Sequence, residues 1–141
     1  MKRLVIDASV VLKWFLVDEK HGQNALKILD EYIADEVDLL GPSLLEYEVI
    51  NGLFVAQKKG RVGEEKIRLA LDGFAGLEIK MREVSHLYSQ IMDYCQAYKC
   101  SAYDASYLAM ASFEEIDLIT ADEVLYKTVH QDLKWVKWLG E

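Results

Sequence analysis

The chain has 141 residues, 52% of them hydrophobic and 28% charged, with one proline and eight glycines. That suits one globular domain spanning 1–141, apolar enough to fill a core and too poor in Gly and Pro for long linkers. The formal net charge of −8 argues against a broad basic face for gripping phosphates; either nucleic acid is not a partner, or the acids gather where cations neutralise them.

Taken in chain order, residues 2–7 (KRLVID) are a short apolar run ending in an acid, the pattern of a buried strand. The stretch MKRLVIDASVVLKWFL superficially resembles an export signal, but Asp7 interrupts it and no small-residue cleavage site follows. No run of about 18 apolar residues predicts a membrane span, so the expected location is the cytoplasm. Ser9 to Leu16 read as a helix, and His21 to Val37 carry helical apolar spacing at Ala25, Ile28, Leu29, Tyr32 and Ile33. Residues 38–41 (DLLG) make a brief strand. Pro42 and Ser43 then open a helix, where proline is tolerated in the first turn, and it runs to near Gly60. Gly63 to about Phe74 form a further helix and residues 77–81 (LEIKM) a strand. Ser85 to about Lys99 and Ala102 to Glu115 form two helices. Residues 117–121 (DLITA) are a strand, Glu123 to Val129 a short helix, and Trp135 to Leu139 a last strand. Strands separated by helices, with no tight hairpin signal, predict an α/β three-layer sandwich around a mainly parallel sheet. Ligands of such sheets sit beyond the carboxyl ends of the strands, where Asp7 and Asp122 fall.

Most of the 24 acidic residues read as solvated surface. Asp7 follows a buried run and either caps the next helix or, with Ser9 in that role, points outward. Asp104, in SAYDASYLAMA, shares a helical face with Leu108 and Ala111, a costly place for an acid without a partner or a cation. Its plainer reading is a first-turn acid favoured by the helix dipole. Glu46 and Glu48 lie on one helix that is apolar nearly all round and therefore buried, so at least one needs a partner; helical spacing does not choose between them. Asn51, one turn past Glu48, offers a hydrogen bond on that side. Asp122 is a helix cap or a fourth site acid, with Thr120 as a supporting hydroxyl. Carboxylates clustered without His or Cys select hard cations, Mg²⁺ or Mn²⁺, which activate water and offset charge on a phosphoryl group. His21, His86 and His130 are scattered. Cys95 and Cys100 are too few for a disulfide framework and lack zinc-knuckle spacing, which predicts reduced thiols.

VIDASV, PSLLEYEVINGL, SAYDASYLAMA and LITADEVLY together resemble the PIN-domain family, most of all VapC-type toxins. The four segments come in the family's order and span residues 4 to 126. The resemblance implies an Mg²⁺- or Mn²⁺-dependent endoribonuclease whose metal and catalytic acids are Asp7, Glu48, Asp104 and Asp122. It selects Glu48 over Glu46 because the family's acid stands just before a Val-x-Asn stretch, here Val49-Ile50-Asn51. Ser9 and Thr120 match hydroxyls that support the acids. It further implies an RNA substrate, a cognate antitoxin that blocks the site, and a homodimer; Lys13, Arg61 and Lys127 are candidate RNA guides. Two alternatives stand beside it. One is a non-catalytic interaction module of the same fold. The other is a phosphatase or receiver-like domain, disfavoured because Ser9 stands where a phosphatase would carry its second Asp.

Overall fold

Five short strands order the molecule. The structure, a computed structural model, describes residues 1–16 and 20–141. The elements run β1 (Lys2–Ile6), α1 (Ala8–Phe15), α2 (Gly22–Ile33), β2 (Val37–Pro42), α3 (Leu44–Lys58), α4 (Glu64–Leu77) and β3 (Lys80–Arg82). A 3₁₀ turn at Ser85–Leu87 leads into α5 (Tyr88–Tyr98), followed by α6 (Ala102–Glu114), β4 (Asp117–Thr120), α7 (Glu123–Val129) and β5 (Val136–Trp138). The sheet order is β3-β2-β1-β4-β5, and every neighbouring pair is parallel. Right-handed crossovers put α1–α4, which carry the chain from β1 out to β3, on one face, and α5–α6, which return it to β4, on the other. That is the expected three-layer sandwich.

The topology also fixes where a ligand belongs. The chain walks outward from β1 in one direction and then restarts on the other side at β4, so the order reverses between β1 and β4. A crevice at such a reversal is the usual site of an open parallel sheet. Asp7 follows β1 directly and Asp122 lies two residues past β4, one on each side of that crevice.

The central strands are apolar on both faces because helices cover both: Val5, Ile6, Leu39, Leu40 and Leu118 have no accessible surface. The α6 helix packs on β1, β2 and β4, and its middle is buried from Ala105 to Ala111. On the other face, the Trp14 indole donates to the Ala25 carbonyl at 2.8 Å, tying α1 to α2. Gly52 lets α3 approach α1: a Cβ there would stand 2.4 Å from Leu12 Cδ1. Glu114 at the end of α6 accepts from Arg3 at 2.6 Å and Arg82 at 2.8 Å, linking β1 and β3 to α6.

Four expectations need correction. Pro42 closes β2 opposite Arg82 instead of opening α3; lacking an N–H, it ends the ladder. The α4 helix continues past Gly73 and Gly76 to Leu77, and the residue that stops it in the left-handed conformation is Glu78, φ 50°. Glycine is the usual signal for such an end, and its absence here hid the boundary. The strand read from residue 77 accordingly starts at Lys80. Finally, α3 is not buried all round: Leu45, Val49, Leu53 and Ala56 face the core, while Tyr47, Ile50, Phe54 and Val55 are exposed. Its apolar content covers two faces, of which only one meets the body.

Leu40 sits in β2 between β1 and β3 with no exposed surface. Leu40→Ala is expected to lower the unfolding free energy by about 2–5 kcal/mol, from lost transfer energy and an unfilled cavity. Urea unfolding followed by circular dichroism measures it.

Candidate active site

Asp7 is the fixed point of the site. It caps α1, with Oδ1 accepting from the backbone N–H groups of Ser9 at 3.1 Å and Val10 at 3.4 Å. The Ser9 hydroxyl donates to the same oxygen, and the Thr120 hydroxyl donates to Oδ2. The Ser9 oxygen in turn accepts from the Ala121 N–H at 2.9 Å, and Thr120 Oγ1 accepts from the Asp122 N–H at 3.0 Å. Two hydroxyls thus stitch the ends of β1 and β4 together around one carboxylate. Asp7 is itself the cap of α1 and is buried, so the alternative in which Ser9 caps and Asp7 points outward does not hold. Ser9 and Thr120 are both bonded to Asp7.

Only 6% of Asp7 is exposed. Burial pushes its carboxyl up to about 6, against the pull of its donors from Ser9, Thr120 and Val10, and the Asp122 charge pushes the same way. Asp104 is raised by burial and then by Asp122. Glu48 is raised by burial and, further down, by Asp104, while its bond to Tyr107 opposes the rise. These influences form a chain of like charges, Glu48–Asp104–Asp122–Asp7.

Each acid is placed by its element. Glu48 lies half-buried on the flank of α3 nearer the core, whereas Glu46 is exposed; the choice of Glu48 agrees with this placement. Glu48 Oε1 accepts from the Tyr107 hydroxyl at 2.6 Å. The expected support from Asn51 is not found: Asn51 is exposed, because it projects from α3 toward solvent, and Tyr107 of α6 provides the bond instead. The sequence reading missed Tyr107. The available signal was a lone tyrosine three residues past Asp104 in a run of small apolar residues, since a buried phenol needs a partner. Asp104 stands in the first turn of α6, whose cap is Ser101: the Asp104 N–H donates to Ser101 Oγ at 3.1 Å. Asp122 caps α7 through Oδ1, which accepts from the Leu125 N–H at 3.1 Å.

Hard, anionic oxygens with spare lone pairs suit Mg²⁺ or Mn²⁺. Among the described residues, Glu48 and Asp122 each accept a hydrogen bond at one carboxylate oxygen, and the Ser101 hydroxyl pulls the Asp104 carboxyl down against burial and the Asp122 charge. No three His, Cys, Asp or Glu side chains among the described residues already stand close enough to hold an ion together. The donor set therefore fits such a cation chemically, as an open arrangement of like charges and not a closed cage. Lys127, one candidate RNA guide, is paired with Glu123 at 2.6 Å.

The PIN domain family model matches residues 4–130. The chain belongs to the PIN-domain family. Within it the chain is similar to the VapC ribonuclease Mb0985 of Mycobacterium bovis and ribonuclease VapC9 of Mycobacterium tuberculosis. Each is 33% identical over 119 residues, covering 84% of this chain and 85% of the relative, which makes this a PIN domain of the VapC type. Two solved structures share the fold. PAE2754 from Pyrobaculum aerophilum superposes with a TM-score of 0.63 at 20% identity, covering 99% of this chain and 92% of its own. A toxin–antitoxin complex from Klebsiella pneumoniae gives 0.56 at 17% identity, covering 95% of each chain.

The Asp7 carboxyl makes the stability of this PIN domain depend on pH. Its native pKa of about 6 lies above the ordinary 3.8, so the folded chain holds the proton more tightly than the unfolded one. The stabilisation is full below the unfolded value and is lost as pH rises through the native value. In chelator, Asp7→Asn is expected to gain on the wild type by roughly 1 kcal/mol between pH 5 and pH 7. Urea titrations of both proteins at the two pH values test this, and a pH-independent difference would refute it.

Proposed function

We propose that this PIN domain is a divalent-metal-dependent endoribonuclease acting as the toxin of a toxin–antitoxin pair. The observation that carries the proposal is that Asp7 and Asp122 flank the reversal point of the sheet, while the Asp122 charge raises Asp7 and Asp104 and the Asp104 charge raises Glu48. The relatives at 33% identity are named ribonucleases, and a fold neighbour occurs in a toxin–antitoxin complex; both support the reading. Ser9, which would be a second Asp in a phosphatase of this general architecture, instead has its hydroxyl committed to Asp7.

The four acids would hold Mg²⁺ or Mn²⁺. When bound, such a cation supplies positive charge that activates water and offsets the charge building on the phosphoryl oxygens. The chain's own part is orientation. Asp7 is locked by Ser9, Thr120 and the start of α1, and Glu48 is held by the Tyr107 hydroxyl. In the reaction a water oxygen bonds to phosphorus, the bond from phosphorus to a sugar oxygen breaks, and that oxygen leaves with a proton. An antitoxin segment carrying an arginine would answer the same acids with a charge-assisted, bidentate contact. A homodimer, with two sites opening on one groove, is the proposed assembly. Among the described residues no helix is long and apolar enough to cross a membrane, and the cytoplasm is the proposed location.

Cleavage of a panel of structured RNAs with Mg²⁺ or Mn²⁺ is the direct test. Wild type is expected to cut, and Asp7→Asn and Asp104→Asn to lose activity by at least about 100-fold, since each removes charge that the transition state needs. Equal residual activity in all three proteins would defeat the proposal. Tyr107→Phe gives a finer check. The lost hydrogen bond had favoured the ionised form of Glu48, so its carboxyl rises further. The acid limb of the pH–rate profile should move to higher pH, with the loss of activity growing as pH falls.

A further inference from the structure

We propose that Tyr103 is a base-stacking platform at the mouth of the site, positioning one unpaired base of single-stranded RNA beside the acids; this rests on the ribonuclease reading above.

Tyr103 precedes Asp104 in the first turn of α6 and is 63% exposed. Among the described residues its side chain makes no hydrogen bond, ion pair or ring contact, whereas its neighbour in the same helical row, Tyr107, is buried and bonded to Glu48. Residues four apart lie one above the other on a helix face. Tyr103 therefore sits one turn nearer solvent than Tyr107, on the row of α6 that meets α3 at Glu48. A substrate that reaches the Asp104 carboxylate passes the first turn of α6, where this ring stands exposed.

Other exposed aromatics have a different setting. Tyr47 precedes Glu48, but on α3 it belongs to the exposed row of Ile50 and Phe54, on the side away from the core. Tyr88 opens α5, next to the 3₁₀ turn whose His86 meets Phe113 edge-to-face near the far end of α6. Only Tyr103 combines exposure with a place in the first turn beside a site acid and above the Tyr107–Glu48 bond.

Charge explains why a ring suits this position. A phosphate placed beside Asp104 meets repulsion, and the chain carries −8. A base offers an uncharged π-face, and stacking on an aromatic side chain needs no cation. It requires an unstacked base, which selects single-stranded segments and loops over duplex.

The test uses the full chain with a single-stranded RNA that the wild type cleaves. Tyr103→Ala is expected to raise KM about ten-fold with kcat within two-fold of wild type, Tyr103→Phe to stay near wild type, and Tyr88→Ala to leave both constants unchanged. Binding is then measured by fluorescence anisotropy in the cleavage-deficient Asp104→Asn background, with single abasic sites scanned along the RNA. One abasic position should weaken binding to the Tyr103 protein about ten-fold and leave binding to the Tyr103→Ala protein unchanged. Cleavage with an unchanged KM in Tyr103→Ala, or abasic losses that merely add to the substitution, overturns the stacking role alone. A wild type that neither binds nor cleaves any RNA overturns the ribonuclease reading, and the platform with it. Thermal melting shows whether Tyr103→Ala is folded, and the phenylalanine variant keeps the test valid if it is not.

Discussion

Burying a carboxylate at the end of a central strand is expensive, and much of the neighbourhood of Asp7 is arranged to meet that cost. The start of α1 gives it two N–H donors, and two hydroxyls from Ser9 and Thr120 close over its oxygens. The same hydroxyls accept from the backbone just past β4. A single charged group thus sets the entry of α1, the junction of β1 with β4 and the position of Asp122. The donors do not fully offset the desolvation, since the carboxyl remains raised to about 6. The protein keeps a group whose ionised form is under-stabilised, as expected where a cation completes the balance.

The other acids extend that imbalance outward. Asp122 raises Asp7 and Asp104, and Asp104 raises Glu48. Yet each is held by an ordinary structural bond: a cap on α7, a first-turn place behind Ser101, a phenol on α6. The bonds to Asp122 and Glu48 orient their carboxylates without neutralising them. A structural role and a chemical one therefore do not compete at these positions. The cap that fixes Asp122 through one oxygen is the reason its other oxygen keeps a defined place.

This duality explains what could be read from the sequence. The α/β alternation, the strand-end acids and Thr120 as a hydroxyl beside Asp122 follow from local pattern, because they depend on residues close in the chain to a strand end; Ser9 as a support needed the family likeness. Glu48 needed the family likeness, since its setting depends on which face of α3 meets the body. Total apolar content suggested that both faces did, and Tyr47, Ile50 and Phe54 show otherwise. Asn51 was misassigned for a related reason: one turn of helix puts it near Glu48 in projection but out in solvent. Tyr107 lies 59 positions from Glu48 in sequence, a separation no local rule spans. The end of α4 was hidden because Glu78 occupies a backbone conformation that glycine normally marks.

An acidic protein that acts on a polyanion looks self-defeating if charge is summed over the whole chain. Screening makes that sum the wrong quantity, because charges more than about 8–10 Å apart are largely masked at ordinary ionic strength. What a bound strand meets is the local arrangement. On the proposed reading this is a cluster of carboxylates that a cation converts from repulsive to attractive, bordered by an uncharged ring on α6. Such a surface holds RNA weakly without metal and gains both affinity and chemistry with it, so the charge that opposes binding in bulk also ties recognition to the loaded site. A broad basic face would bind RNA whether or not the site was able to act on it.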